Sequence, residues 1–169
     1  GIATELPCIE NLPDIVRKAG WEVTATLMTD PGQSLGLSGT EKDFPPRLVG
    51  VEPGDTSGAN MGVALDIGTT TVSVELVDLN TGRVVAERTA YNKQMNYGAD
   101  VITRIVYARK ADGLDRLQKV VVESINRLLE EVLEEGGVGK SVVSSMCAAG
   151  NTTMTHLFLG VEPRYIREA

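Results

Sequence analysis

Three observations in the sequence predict an α/β protein. Residues 61–67 form a continuous apolar run, and residues 71–78 alternate apolar and polar side chains, as β-strands do. Residues 112–135 carry apolar side chains every three or four positions, as an amphipathic helix does. Residues 141–149 are again apolar and rich in β-formers, so a strand follows the long helix. Strands and helices that alternate in this way indicate the α/β class.

The N-terminal part of the chain predicts a small α+β unit. Residues 12–19 form a short helical segment with Pro13 in its first turn and Gly20 after its end. Residues 21–28 alternate apolar and polar side chains, which predicts a strand, and we expect Trp21 to pack inside this unit. The other predicted segments are a loop at 29–46, a strand at 48–51 and a polar, glycine-rich linker at 52–60.

A boundary near residue 58 is predicted to divide the chain into a small middle or linker domain, 1–58, and a second domain, 59–169. The first three strands of the second domain should form an antiparallel meander, because Asn80-Thr81-Gly82 is a typical hairpin turn. The elements that follow should be helices at 97–110 and 112–135, a strand at 141–149 and a helix at 152–159. We expect the last strand to lie parallel to the first and to be buried on both faces. This order is compatible with a ribonuclease-H-like half-domain.

Composition excludes several classes of function. The net charge of -7 and the pI near 4.8 argue against a nucleic-acid partner, which requires a concentrated basic face. Cys8 and Cys147 lie far apart and belong to no Cys-x-x-Cys pair, so any iron-sulfur site should lie outside this chain. No apolar run is long enough to cross a bilayer and the N-terminal segment has no targeting pattern, which predicts a cytoplasmic protein without a membrane partner.

The most informative segment follows the first apolar strand of the second domain. Asp66 lies near the end of that strand, and the turn after it contains one glycine and three threonines. Such a turn can approach a phosphate closely and offers amides and hydroxyls, while Asp66 could hold a hydrated Mg²⁺. The alternative is a plain hairpin turn. The phosphate-binding residues that we expect here are Gly68, Thr69, Thr70 and Thr71.

A second polar strand end follows the strand at 141–149. Gly150, Asn151 and Thr152 should lie on the same edge of the sheet as the turn after Asp66, where ligands gather in α/β proteins. Asn151 and Thr152 could then contact a γ-phosphate or its attacking water. They could equally cap the last helix, and the two roles are compatible.

Three other polar residues have ordinary structural explanations. Asp100 can serve at the start of a helix, although it could also orient groups near a cleft. His156 has no second ligand at metal-binding spacing, which favours a packed or capping histidine. Cys147 lies in an apolar strand and is expected to be a small buried side chain.

Three segments together resemble the reductive activators of corrinoid proteins. They are ALDIGTTTV at 64–72, YGADVITRI at 97–105 and AGNTTMTHLFLG at 149–160. The first is similar to the first phosphate motif of the acetate/sugar kinase, chaperone and actin superfamily. The resemblance implies the ribonuclease-H-like half of an actin-like ATPase domain. It also implies ATP and Mg²⁺ as cofactors, a 2Fe-2S cluster in the parent protein but not in this chain, and a corrinoid protein as partner.

The sequence departs from the family pattern at its end. It stops at Ala169, before a second Asp-Gly phosphate loop or an adenosine-binding segment, so we expect a truncated piece that is inactive alone. Such a half-domain should expose an apolar cleft face, which would allow homodimerisation.

The resemblance implies an ATPase half that couples hydrolysis to reduction of cob(II)amide in a partner. Two alternatives remain open: a small-molecule kinase of the same superfamily, and a non-catalytic module for partner binding or dimerisation. A ribonuclease-H-type nuclease is disfavoured because two-metal chemistry needs several clustered carboxylates and only Asp66 lies at a predicted strand end.

Overall fold

The computed structural model describes residues 2–4, 6–29 and 45–166. The chain divides into two compact units, Gly1–Asn60 and Met61–Ala169, and each unit contains a sheet of its own. The α/β class expected from the sequence is confirmed, because helices and mixed sheets occur together.

The first unit contains one helix and a three-stranded sheet. Helix α1, Leu6–Lys18, packs against the central strand of the sheet. The strands are β1, Ala3–Thr4, β2, Val23–Met28, and β3, Arg47–Pro53. β3 lies in the centre, parallel to β1 and antiparallel to β2. Most of the loop predicted at 29–46 lies outside the described residues.

Helix α1 is longer than the predicted helix at 12–19. It begins at Leu6, so that Pro7 lies in the first turn and Pro13 lies in the interior. Pro13 provides no N–H for the helical hydrogen bond and costs about 3 kcal/mol in a helix interior. The helix nevertheless continues because it is amphipathic and packs against β3, so tertiary contacts outweigh the local preference.

The end of α1 also changes the role expected for Trp21. Gly20 and Trp21 both adopt positive φ, 60° and 73°, and the Trp21 N–H donates to the Val16 carbonyl at 2.9 Å. Trp21 therefore belongs to the helix end, and β2 begins at Val23. Its side chain is 80% exposed, so the expectation that it packs inside this unit is wrong.

The second unit contains a four-stranded sheet, and three helices in the described residues. The strands are β4, Met61–Ile67, β5, Thr71–Asp78, β6, Arg83–Tyr91, and β7, Val143–Gly150. Their order is β6-β5-β4-β7, with β4, β5 and β6 antiparallel and β7 parallel to β4, as predicted. The helices are α2, Val101–Ala108, α3, Gly113–Gly136, and α4, Thr152–Leu159. Short 3-10 turns occupy Lys93–Asn96, Lys140–Val142 and Arg164–Ile166.

The core of the second unit lies between one face of the sheet and the helices. Long helix α3 crosses β5 and β6, and α4 packs against α3. Alternate residues of the strands point into this core, which follows from the two-residue period of a strand. The buried strand residues are Val63, Leu65, Ile67, Val72, Val74, Leu76 and Ala86. The buried helix residues include Leu117, Val121, Ile125, Leu128, Val132, Met154 and Leu157.

The opposite face of the same sheet carries polar and small side chains. We call it the open face and define it by Ala64, Asp66, Ser73, Glu75 and Glu87. All five are at least partly exposed. The alternation in β5 therefore distinguishes a covered face from a solvent-facing one, as the sequence pattern indicated.

Strand β7 is one of the two edge strands of the sheet as the described residues form it, and this corrects one expectation. The strand at 141–149 was expected to be buried on both faces, yet residues 145–150 are all exposed. Met146 is 50% exposed and Cys147 is exposed as well, so the expectation of a buried Cys147 is wrong. The apolar composition of a strand predicts that neighbouring strands and helices cover it. Among the described strands, however, β7 pairs only with β4.

Candidate functional site

The candidate site is the turn between β4 and β5, which we call the threonine loop and define as residues 68–71. Asp66 precedes it on the open face, exposed, opposite Ser73 of β5 and Ala149 of β7. A Cβ on Gly68 would lie 2.7 Å from the Thr71 carbonyl oxygen, a distance that real Cβ atoms do not adopt. The tight return of the chain therefore requires glycine at position 68.

Three consecutive carbonyl groups of the loop accept hydrogen bonds from the buried residues Asn92 and Arg104. The Asn92 side-chain amide donates to the Gly68 carbonyl at 2.9 Å, and the Asn92 N–H donates to the Thr70 carbonyl at 2.8 Å. Arg104 Nη2 donates to the Thr69 carbonyl at 2.6 Å. The Gly68 and Thr69 oxygens are thereby directed towards buried side chains, and the Thr70 oxygen is directed towards the main chain that follows β6.

The direction of the carbonyl groups determines the direction of the amides. No cis peptide occurs in the described residues, and in a trans peptide the N–H points opposite to the C=O. The N–H groups of Thr69 and Thr70 are therefore directed away from Asn92 and Arg104. Adjacent main-chain amides that point outwards form the kind of concave donor surface that binds anions.

A buried polar network supports the loop. Asn92, Gln94 and Arg104 are each fully buried, although all three are polar. Gln94 connects the network to α3 through a 2.9 Å bond to the Leu117 carbonyl, and its N–H donates to Asn92 Oδ1 at 3.0 Å. Burying such groups is costly unless they are hydrogen-bonded, and here each finds partners. The network consequently fixes the loop to the helices below it.

The second predicted strand end, that of β7, lies beside the threonine loop, because both follow the carboxyl ends of neighbouring parallel strands. The parallel pairing of β4 and β7 aligns Asp66 with Ala149 and Ile67 with Gly150. A Cβ on Gly150 would lie 3.0 Å from the Ile67 carbonyl oxygen, so glycine allows the two strand ends to approach closely. Thr152 begins α4 and is exposed, without a described contact from its side chain to the loop.

Asn151 both caps a helix and reaches the loop. Its Oδ1 accepts from the Met154 N–H at 3.0 Å, which is the N-cap bond of α4. Its Nδ2 donates to the Thr69 hydroxyl oxygen at 3.1 Å. The capping role considered for Asn151 is therefore observed, and the same side chain joins the two predicted phosphate segments.

Two further polar residues have local structural roles. Asp100 caps α2 in a capping box with Thr103, whose N–H donates to the Asp100 carboxylate at 2.8 Å. That backbone hydrogen bond is the main cause that lowers the pKa of Asp100 from its usual value. The Nδ1 of His156 lies 2.7 Å from the Thr152 carbonyl oxygen within α4. Because a carbonyl only accepts, Nδ1 carries the proton in this contact. Both residues thus stabilise helices, as the simpler explanations predicted.

Few groups in the described residues could bind a metal ion. No set of three or more His, Cys, Asp or Glu side chains lies close enough there to hold one. Asp66 is the carboxylate next to the threonine loop, and it lines a shallow pocket of about 200 Å³ on the open face with Ser73, Glu75 and Cys147. A cation here would need oxygen ligands from water or from a bound phosphate.

Family models match both parts of the chain. A model described as the RACo linker region matches residues 1–58, and one described as the RACo middle region matches residues 61–169. The chain belongs to the RACo family. The resemblance of its three motifs to reductive activators of corrinoid proteins is thereby confirmed.

Two known proteins are similar to this chain. The chain is similar to a solved structure named "reductive activator for corrinoid, iron-sulfur protein", with a TM-score of 0.79 and 39% identity. The match covers 99% of this chain and 25% of that one. The chain is also 32% identical over 106 residues to the corrinoid activation enzyme RamQ of Eubacterium limosum, covering 62% of this chain and 18% of RamQ. It therefore spans a quarter or less of these relatives.

Asn92, Gln94 and Arg104 were not predicted from the sequence as part of the site. Arg104 lies on the same face of α2 as Ala108 and next to Ile105, and both of these apolar residues are buried. A charged residue inside an apolar stripe is a usable signal, because an arginine is seldom fully buried unless it has specific partners.

No helix in the described part of the chain is long and apolar enough to span a membrane.

Proposed function

We propose that the second unit binds the phosphates of ATP and is the nucleotide-binding half of an ATP-dependent reductive activator of corrinoid proteins. The observation that carries this proposal is the geometry of the threonine loop. Side-chain bonds from Asn92 and Arg104 hold the Gly68 and Thr69 carbonyl groups and so direct the Thr69 and Thr70 amides away from these buried side chains. A phosphate group is an anion that such amides can bind.

The architecture of the second unit supports a ribonuclease-H-like half of an actin-like or sugar-kinase-like ATPase domain. Its support is the strand order β6-β5-β4-β7 with only β7 parallel to β4, which places both candidate segments at one sheet edge. In α/β sheets ligands bind outside the carboxyl ends of the strands. We further propose that residues 1–58 form a separate linker or middle domain before this ATPase half, residues 59–169.

The phosphate contacts in this proposal fall to both strand ends. Gly68, Thr69, Thr70 and Thr71 would surround one phosphate with amides and hydroxyls. Gly150, Asn151 and Thr152 would face the same ligand from the second strand end, and the Asn151 bond to the Thr69 hydroxyl brings the two segments together. The role of catalytic base is assigned to none of the described residues.

Asp66 is proposed to hold Mg²⁺ through water. An exposed carboxylate next to the loop fits the way proteins bind this ion, because Mg²⁺ keeps several waters and takes its other ligands from the nucleotide phosphates. The bound ion would neutralise phosphate charge next to the loop, while the carboxylate determines where the hydrated ion lies.

The biological role in this proposal is to drive the reduction of a corrinoid protein partner. The names of the relatives, a reductive activator and a corrinoid activation enzyme, support such a partner. Electrons would arrive through a 2Fe-2S cluster held outside the described residues. ATP can favour the reducible state of the partner only if it binds two states of the activator with different affinity.

Calorimetric titration of MgATP into the intact protein tests the proposed site. We expect Asp66→Ala to weaken MgATP binding at least tenfold, whereas Asp115→Ala, which removes another exposed aspartate, should leave binding unchanged. Equal affinities of wild type and Asp66→Ala would refute the phosphate site.

The coupled role needs a separate assay. Reduction of cob(II)amide in the corrinoid partner should depend on ATP and should slow in Asp66→Ala. Reduction that proceeds equally well without ATP would exclude the coupling, and a phosphorylated small molecule as product would support the kinase alternative instead.

A further inference from the structure

Arg104 is the charged residue buried most completely in the described part of the second unit. Its side chain has no exposed surface. Nε donates to the Gly98 carbonyl at 2.9 Å, and Nη2 donates to the Thr69 carbonyl at 2.6 Å. Nη1 faces the Gln94 side-chain oxygen and the Met154 sulfur, at 3.3 and 3.2 Å. One guanidinium thus joins α2, α4, the turn before α2 and the threonine loop.

Every acceptor of Arg104 is neutral, which is unusual for a buried cation. Among the described residues no carboxylate forms an ion pair with it, and the acidic group that acts on it electrostatically is Asp100, at the exposed N-cap of α2. Water screens an exposed charge, so Asp100 compensates the guanidinium weakly. Burial lowers the pKa of Arg104, but an arginine stays protonated at any physiological pH.

A buried and poorly compensated positive charge favours an anion nearby. The Thr69 carbonyl accepts from Arg104 on the inner side, and the N–H of the same peptide belongs to Thr70 and points to the outer side. Hydrogen bonds in such a chain polarise one another, so a charged donor on the carbonyl makes the amide a stronger donor. The charge of Arg104 is thereby transmitted through one peptide group to the surface of the loop.

We propose that Arg104 is a positioning residue that fixes and polarises the Thr69–Thr70 peptide, making the Thr70 amide the principal main-chain donor to a nucleotide phosphate. This inference rests on the proposed function of the threonine loop. The neighbouring Gly68 and Thr70 carbonyl groups accept from the side-chain amide and the main-chain N–H of Asn92. Both donors are neutral, so these peptides are polarised less than the one bound by Arg104.

The test separates charge from packing with three variants of the intact protein. Arg104→Met retains an extended side chain but removes the charge, and Arg104→Lys retains the charge but loses the branched set of donors. Arg88→Met is the matched control, because Arg88 of β6 pairs with Glu135 of α3 and makes no described contact with the loop. MgATP affinity is measured by calorimetry, and folding is checked by thermal unfolding.

We expect Arg104→Met to weaken MgATP binding about tenfold or more, the loss typical of a charged hydrogen bond. Arg104→Lys should stay within about threefold of wild type, because the substitution keeps a positive charge beneath the loop. Arg88→Met should leave the affinity unchanged, because Arg88 makes no described contact with the loop. Wild-type affinity in folded Arg104→Met would overturn the proposal, as would equal losses in Arg104→Met and Arg104→Lys. The Asp66→Ala measurement tells the two proposals apart. If Asp66→Ala loses MgATP binding while Arg104→Met retains it, the phosphate site stands and only the role of Arg104 is refuted.

A second measurement needs no variant and covers the case in which Arg104→Met does not fold. Wild-type protein labelled with ¹⁵N at threonine is titrated with MgATP, and the amide resonances of Thr69, Thr70 and Thr71 are followed. The largest downfield change is expected at Thr70. A Thr70 resonance that stays in place while MgATP binds would contradict the proposal.

Discussion

Asn151 donates a hydrogen bond to the hydroxyl oxygen of Thr69 at 3.1 Å, across 82 positions of sequence. The contact exists because β7 runs parallel to β4, so the two strand ends lie side by side. The same side chain caps α4 through the Met154 N–H. One residue therefore serves both the stability of a helix and the shape of the candidate site.

The two bonds of Asn151 can be separated by substitution. Asn151→Asp keeps the acceptor for the Met154 N–H but loses the amide donor to Thr69, whereas Asn151→Ala loses both. We expect Asn151→Ala to lower the free energy of unfolding by about 1 kcal/mol and Asn151→Asp to lower it by less. Both should weaken MgATP binding. Equal stability of the Ala variant and wild type in denaturant unfolding would show that the cap contributes nothing.

Gly68→Ala should destabilise the second unit. The added Cβ would lie 2.7 Å from the Thr71 carbonyl oxygen, so the backbone must shift, at a cost of about 1 to 3 kcal/mol. Gly139→Ala is the control, because its new Cβ would meet only the Ser141 hydroxyl at 3.7 Å in an extended backbone. Chemical denaturation compares the two. Similar midpoints would mean that the loop tolerates a side chain at position 68.

Asp100 should make a stabilising contribution that depends on pH. Its pKa is lowered in the folded protein, chiefly by the Thr103 N–H, so the unfolded state binds a proton at higher pH than the folded state does. The contribution is then fully present above the unfolded pKa and is lost as pH falls through the folded pKa. Wild type should be more stable than Asp100→Ala at neutral pH, and the difference should shrink in acid. A difference that is constant down to about pH 2 would contradict this assignment.

Cys147 should react with a thiol reagent in the native state. Its side chain is exposed on β7, within the shallow pocket that Asp66 also lines. In the 169-residue chain with Cys8→Ser, we expect one thiol to be modified without denaturant. The chain with both cysteines replaced is the blank. Modification that appears only after unfolding would restore the original expectation of a buried side chain.

Much of the second unit could be predicted from local sequence, because its strands and helices follow simple periodicities. Met61–Ile67 and Thr152–Leu159 were predicted with the bounds observed, and the parallel placement of β7 was expected. The exposure of β7 was not predictable in this way. An apolar strand composition indicates that other elements cover the strand, but it does not say whether those elements belong to these 169 residues.

The support beneath the site was missed for a related physical reason. Asn92, Gln94 and Arg104 come together from a strand end, a 3-10 turn and a helix, so no short motif contains them. Their burial depends on hydrogen bonds that span the unit, such as the one from Gln94 to the Leu117 carbonyl. In contrast, Gly68 and Asn151 could be proposed from the sequence because each follows a strand directly.

The edge of the second sheet has a practical consequence for anyone who handles this chain. Proteins usually protect a strand edge with lysine or proline, yet Val143–Gly150 contains neither and carries no charge. Among the described strands β7 pairs only with β4, so the main chain of residues 145–150 offers donors and acceptors to an extended segment that arrives, including the same strand of another copy. Turbidity or sedimentation that grows with concentration is the expected sign, and Met146→Lys should suppress it.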